Sequence, residues 1–439
     1  MLNLIFKNKD LANSIFLILI FLLPFAMVSG PFLPDLIITT FALLFIYYSF
    51  KDKNFIYYIK KNYFFDIIFF LVFYILIILS LINSNFLSSS FLPSFFYFRF
   101  IFFTLIILYL LNLNKELLKF FTISIVLLFI VIFFDSIIQF TFGKNIFLQK
   151  YTDHIDVKII TSFFGDEKKL GSFISRFLPL VISLLILLDN KLYNKYKLKE
   201  LLITLSIILV IISTERVAIL NLLIFIFFYF FTLNKLKKIS SFLIFSIFAI
   251  TITYSFGNYF EKFYKSTYDQ IFEKEIVTNS PFTNYKEYRY SDRPLYFSRN
   301  HENMILTSVE IFKENIFFGT GIKTFREECK KKKYNLEQRC STHPHNTYVQ
   351  LLSETGIFSF FIIFLVFLIY AFENFKIIFN NKMTKYNKII LINNVGIIIH
   401  LLPLIPSGSF YNNWMSCIFF INLAINLHLK KNLEKLISK

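Results

Sequence analysis

Cysteine, tryptophan and carboxylates are scarce in this chain of 439 residues. Three cysteines and one tryptophan stand among 63 phenylalanines, and 28 acidic residues among 46 lysines and arginines. So few cysteines cannot form a disulfide scaffold. No second Cys or His pair lies at ligand spacing from Cys329 and Cys340, so the pair does not read as a zinc site. Glycine is limited to ten residues, and neither a P-loop nor a dinucleotide-binding motif occurs. Solenoid-type repeats are missing. So is a convincing carboxylate pair of the kind glycosidases use.

What is abundant is hydrocarbon. Hydrophobic residues make up 56% of the chain, and mean hydropathy is +0.61. A soluble domain could not hide that much apolar surface, so the composition predicts an all-α polytopic membrane protein. About twelve apolar runs are long enough to cross a bilayer. They lie near 13–29, 33–50, 64–83, 93–112, 118–140, 171–189, 199–214, 217–233, 240–256, 347–371, 388–404 and 411–427. The net charge of +18 would by itself suggest a nucleic-acid partner. The cations sit instead in alternate short loops, such as Lys51, Lys53, Lys60 and Lys61, or Lys376, Lys382, Lys385 and Lys388. Loops 30–32, 84–92 and 405–410 carry no Lys or Arg. This alternation predicts cytoplasmic termini, and a lipid bilayer rather than nucleic acid as partner. The long loops 141–170 and 257–346 then face outward. The expected organisation is nine helices over 1–256, a large and partly helical outer loop over 257–346, and three helices with a basic tail over 347–439. Lys7 and Lys9 ahead of the first run resemble a signal peptide, but removing that run would break the alternation, so it is expected to be retained.

Against this background, ionisable side chains stand out. His343 and His345 precede Asn346, a favourable N-cap for the apolar run 347–370. His345 would lie at the positive end of that helix, where the dipole keeps imidazole neutral and available as a base. Asn346, Gln350 and Glu354 follow at i, i+4 and i+8, a polar stripe down one face. The alternative is that the histidines decorate a surface loop. Arginines form a second set on the outer side, where cations are normally rare. Arg99, Arg176 and Arg216 lie near the outer ends of their runs, and Arg289, Arg293 and Arg299 in the long loop. Guanidinium groups keep their charge and bind phosphate bidentately, so a convergent set would hold a diphosphate headgroup. The structural alternative pairs Arg216 with Glu215, and Arg99 or Arg176 with Asp135. His301 and Glu302 open an amphipathic stretch over 303–318, with Ile305, Val309 and Phe312 on one side, expected to lie along the membrane surface as a cover. His154, among Asp153 and Asp156, reads as part of a solvated loop rather than a metal site. Cys329 and Cys340 bracket a short outer segment, and an oxidising compartment there would allow a disulfide.

The pattern resembles the O-antigen ligase/polymerase family of bacterial envelope glycan assembly. His345-Asn346, nine residues and then Gly356 is similar to the family signature at the start of the helix after its large periplasmic loop. Asn315 to Phe325, Ser162 to Leu180, Thr214 to Ala218 and Pro406 to Trp414 resemble further family blocks in the same order. Together they cover about 135–415. Ser359 stands where the family often has glycine.

The resemblance implies metal-independent, inverting glycosyl transfer at the periplasmic face of the bacterial inner membrane, with no cofactor. The donor would be a glycan on undecaprenyl diphosphate, and the acceptor lipid A-core or another glycan. His345 matches the essential histidine and Arg216 the transmembrane arginine. Arg293 is the first choice for the loop arginine, with Arg289, Arg299 and His301 nearby. Arg176, Arg99, His343, Asn346 and Glu354 complete the expected substrate-binding set. A ligase is the preferred outcome. A polymerase joining lipid-linked repeats shares the chemistry, and a lipid-linked glycan flippase is the rival from another class.

Overall fold

The computed structural model describes residues 11–154, 157–188, 197–233, 257–272, 275–279, 286–289, 294–334, 340–380 and 382–437, most of them helical. The first six helices are α1 (Leu11–Ala26), α2 (Phe32–Lys51), α3 (Lys53–Leu79), α4 (Leu87–Phe95), α5 (Phe98–Leu113) and α6 (Glu116–Phe142). A hairpin of β1 (Thr152–His154) and β2 (Val157–Ile159) precedes α7 (Leu170–Leu187), α8 (Leu198–Ser213) and α9 (Arg216–Phe231). The long loop holds α10 (Gly257–Ile271), a hairpin of β3 (Glu275–Asn279) and β4 (Lys286–Arg289), then α11 (Arg299–Glu314) and α12 (Phe325–Glu328). The chain closes with α13 (Thr347–Phe379), α14 (Lys385–His400) and α15 (Asn413–Ile437).

Eleven of the twelve expected runs coincide with helices, and the run 240–256 lies outside the described residues. Among the described residues, six helices are long and apolar enough to cross a membrane, α4 and α5 counting as one through Leu87–Leu113. The protein is therefore a mostly helical, multi-pass membrane protein. The basic loop expected between the second and third runs is itself helical. Asp52 caps α3 by accepting from Asn54 N at 2.9 Å. Phe55, Ile59 and Tyr63 then bury one face while Lys60 and Lys61 stay exposed, and the helix kinks at Tyr63.

The centre is α7 packed on α14, with α15, α9 and α8 around it. The apolar window of α7 is 83% buried, that of α3 only 22%. Phe50, Phe65 and Phe372 project outward from peripheral helices, as lipid-facing side chains do. Hydrocarbon offers little hydrophobic drive between helices, so polar pairs help to fix register. Asn426 Nδ2 donates to Asn393 Oδ1 at 2.6 Å and Asn394 Oδ1 at 2.9 Å, and Asn393 Nδ2 reaches Ser183 Oγ of α7 at 3.1 Å. This network ties α7, α14 and α15 together below the site.

Helix α11 does not present the face its sequence suggests. Met304, Thr307, Ser308 and Ile311 are buried, whereas Ile305, Val309 and Phe312 are half-buried. The inward face is offset by one residue because α11 packs on α13, and Thr307 Oγ1 finds the Tyr334 carbonyl at 3.1 Å. Met304, Ile311, Phe325, Cys329 and Tyr334 form a small core belonging to the loop.

Candidate active site

The histidine loop is held by its backbone. Asn346 Oδ1 accepts from Tyr348 N at 3.0 Å and Val349 N at 3.1 Å, capping α13. Its Nδ2 donates to Tyr296 OH at 3.2 Å and Ile405 O at 3.3 Å. The carbonyl of His345 accepts from Ser407 N at 2.8 Å. His345 itself has φ +56°, a left-handed conformation that costs a non-glycine residue about 1–2 kcal/mol. Thr214, Phe297 and Lys323 share that conformation and line the same cavity. Such backbone strain concentrates where surrounding contacts impose a functional geometry.

The cavity has a volume of about 740 Å³. It is walled by the start of α7, the turn before α9, α10, the start of α11, segment 323–326, the histidine loop and the loop before α15. His345 is its middle member. The His343 and His345 ring centroids are 4.0 Å apart, and those of His345 and His301 are 5.3 Å apart. Ser341 Oγ lies 3.3 Å from His345 Nε2. Burial pushes the His345 imidazole below its ordinary value. The sequence points to the helix dipole as a cause, and desolvation acts in the same direction. Burial first, then His345 and Arg216, bring His301 to about 4. His343 is brought to about 3 by burial first and then by His345. All three imidazoles are thus neutral at pH 7.

Among the described residues, six cationic side chains line the cavity against two carboxylates. Arg216 donates through Nη1 to Gln270 Oε1 of α10 at 2.5 Å. Glu215 does not pair with it. Glu215 accepts instead from Gly171 N at 2.6 Å, Ser172 N at 3.0 Å and Ser172 Oγ at 2.6 Å, at the positive end of α7. Gly171 permits this contact, because a Cβ there would lie 2.3 Å from Ser213 Oγ. The arginine turn is thereby fixed on α7, where buried Arg176 reaches the Ser172 carbonyl at 3.3 Å. Lys169 pairs with Glu167 and lies 5.7 Å from the Trp414 ring centroid. Lys168, Lys323 and Arg326 complete the cationic lining.

The structure therefore brings together His345, His343, His301, Arg216 and Arg176. Other expected site residues lie elsewhere. Arg99 is in an ion pair with Asp35 at 2.8 Å and donates to Asn413 at 2.9 Å. Asp135, its expected partner, accepts from Ser162 Oγ at 2.5 Å and Ile146 N at 2.9 Å. Asn346 and Glu354 stand behind the wall. Glu354 accepts from Gln350 Nε2 at 2.9 Å and Phe325 N at 3.1 Å, its charge turned toward the protein. Arg299 opens α11 outside the cavity lining. Arg289 ends strand β4. Arg293, and Asp156 beside His154, lie outside the described residues. Cys329 and Cys340 are joined by a disulfide with Cα atoms 5.6 Å apart. Among the described residues, no group of three His, Cys, Asp or Glu could hold a metal ion.

Lys168, Lys169, Lys323, Arg326 and Gln270 were missed as site residues. The four cations line the same cavity as Arg216 and Arg176, but no motif in the sequence marks them. Gln270 carries no sequence signal.

Residues 201–364 match the family model described as O-antigen ligase. The segment is O-antigen ligase-like. It contains Arg216, His301, Lys323, Arg326, His343 and His345, whereas Lys168 and Arg176 lie ahead of it. No curated protein matches the chain. The O-antigen ligase match supports glycosyl transfer of the ligase or polymerase kind, with lipid-linked glycan and lipid-associated acceptor as partners.

Proposed function

We propose that the cavity is the active site of a metal-independent, inverting glycosyltransferase at the periplasmic face of the bacterial inner membrane. The donor is a glycan on undecaprenyl diphosphate, and the acceptor is lipid A-core or another surface glycan. The observation that carries this reading is a neutral imidazole, His345, in the same cavity as Arg216. His345 takes the proton from an acceptor hydroxyl as that oxygen forms its bond to the anomeric carbon. The bond from that carbon to the diphosphate oxygen breaks, and the electron pair leaves with undecaprenyl diphosphate. Arg216, Lys168 and Arg176 stabilise the departing charge, with Arg293 of the loop as a further candidate. A diphosphate is already a good leaving group, so positioning and charge carry most of the work. His301 and His343 flank the base, and both are uncharged at pH 7. Both termini are cytoplasmic in this reading.

Reconstitution with an undecaprenyl diphosphate glycan and candidate acceptors, in EDTA, tests it. The wild-type protein transfers sugar with inverted anomeric configuration, and Arg216→Ala and His345→Ala each lose at least about 100-fold. Wild-type rates in both variants would remove these residues from the mechanism.

A further inference from the structure

Trp414, the one tryptophan of the chain, lines the cavity and has no part in the proton and charge chemistry above. It stands half-buried in the first turn of α15. Its backbone N donates to Asn412 Oδ1 at 2.9 Å, and its Nε1 donates to the carbonyl of Met27, just past α1, at 3.2 Å. A tryptophan at a membrane surface ordinarily turns its N–H to water or headgroups. Here the N–H is bonded within the protein, so what the indole offers the cavity is hydrocarbon.

Two sets of contacts fix that ring relative to the reacting groups. The first runs through α7. The Phe173 and Trp414 ring centroids are 6.2 Å apart, and Phe164 meets the indole edge-on at 6.5 Å. Phe173 follows Ser172, which holds Glu215 and with it the turn that carries Arg216. Arg176 stands one turn further along the same helix. The second runs through loop 405–412, which leads into Trp414. Ser407 N donates to His345 O at 2.8 Å, Ser407 Oγ meets Thr347 Oγ1 at 2.8 Å, and Phe410 N donates to Gln350 Oε1 at 2.9 Å. The indole is thereby set beside the arginine turn, on a loop bonded to the histidine loop.

The surroundings of the ring say what would lie on it. Lys169 Nζ, paired with Glu167, is 5.7 Å from the ring centroid, and exposed Asn412 lines the same wall. An apolar ring bordered by hydrogen-bonding groups complements a pyranose, whose C–H bonds form an apolar face and whose hydroxyls form a polar rim. A phosphate has no use for the ring, and a polyprenyl chain has none for the charged border. The geometry points to Trp414 as the stacking platform for the pyranose bonded directly to the donor diphosphate, with Lys169 and Asn412 at its hydroxyls. That sugar is one bond from the diphosphate, so it belongs where Trp414 stands, next to Arg216 and Arg176. Stacking fixes the plane of the sugar and so the direction from which its anomeric carbon is open to attack. The identity of the sugar held rests on the transferase reading, whereas the stacking itself needs only the cavity.

A single tryptophan makes the intrinsic fluorescence of the full-length protein a report on this ring alone. The protein in detergent, without acceptor, is titrated with undecaprenyl diphosphate and with the same lipid bearing glucose, galactose or N-acetylglucosamine, and binding is read by radiolabel and by emission. Wild-type protein binds at least one sugar-bearing lipid about fivefold or more tightly than the bare lipid, and only the sugar changes the emission. Trp414→Leu brings that ratio toward one, and Trp414→Phe, which keeps a ring but not the N–H, retains part of it. Affinity for the bare lipid changes by less than about twofold in both variants, which shows that the cavity is intact. Equal binding of bare and sugar-bearing lipids by the wild type overturns the inference. So does an unchanged ratio in Trp414→Leu, or a loss that falls equally on the bare lipid. These titrations need no turnover. If they succeed while no transfer is seen with any acceptor, it is the transferase reading that fails.

Discussion

A neutral imidazole is useful only while it stays neutral, and for His345 that condition is set by burial. Its folded value lies below the ordinary 6.5. The base form therefore predominates at and above pH 6.5 and is lost as pH falls through the lower folded value. The kcat/KM profile should be flat from about pH 7.5 to 6.5 and bend downward below that. A bend above pH 7 would mean that another group titrates, or that His345 is not the base. At Arg216 the fork geometry is as important as the charge, because Nη1 is already turned to Gln270. Arg216→Lys keeps the cation but loses the planar donor set, so transfer should fall about tenfold or more. Equal rates for the two side chains would show that charge alone suffices.

At the scale of elements, the break in α13 matters most. Gly356 has φ +79° and ψ −177° inside what is otherwise one helix of 33 residues. The segment before α12 docks into this gap, with Ile357 N donating to Ile316 O at 2.9 Å. A Cβ on Gly356 would lie 2.1 Å from Phe317 O, and one on Gly319 would lie 2.3 Å from the Glu354 backbone. Broken backbone at membrane depth persists only where protein satisfies its polar groups, and this segment does so. Gly356→Ala should cost at least about 3 kcal/mol, from the left-handed backbone plus the clash. Thermal unfolding in detergent measures it, and a midpoint within about one degree of wild type would show that the break can close. The disulfide acts on the same assembly. Closing the segment between Cys329 and Cys340 restrains the unfolded loop by about 3 kcal/mol. Cys329→Ser with Cys340→Ser should therefore loosen the loop around Arg326 and speed its proteolysis, leaving the α7–α14 centre intact. Unchanged cleavage would mean that packing alone holds the loop.

For the whole molecule the charge alternation predicts the orientation. Lys313 on α11 and Lys382 before α14 are both exposed, and the charge alternation puts them on opposite sides. Cysteine background should be low, because Cys329 and Cys340 are bonded and Cys417 is buried. A membrane-impermeant maleimide applied to spheroplasts should label Lys313→Cys and spare Lys382→Cys. The reverse result would turn the cavity toward the cytosol and defeat the proposed use of a periplasmic donor.

Sequence alone determined that the chain is helical and membrane-embedded, where most helices run, and that His345 and Arg216 are worth watching. Those properties are local: runs of hydrocarbon, an N-cap, a charge where lipid would forbid one. Glu354 shows where such reading stops. A buried carboxylate about two turns below a histidine looks like a substrate ligand, yet its oxygens accept from Gln350 Nε2 and from Phe325 N, distant in sequence. Gln270 and Arg326 became site residues only because α10 and the disulfide-tied loop fold over α7 and α13. Convergence of that kind is a matter of long-range packing: a string of letters fixes which charges exist, but only the fold decides which of them are already paired and which face the cavity.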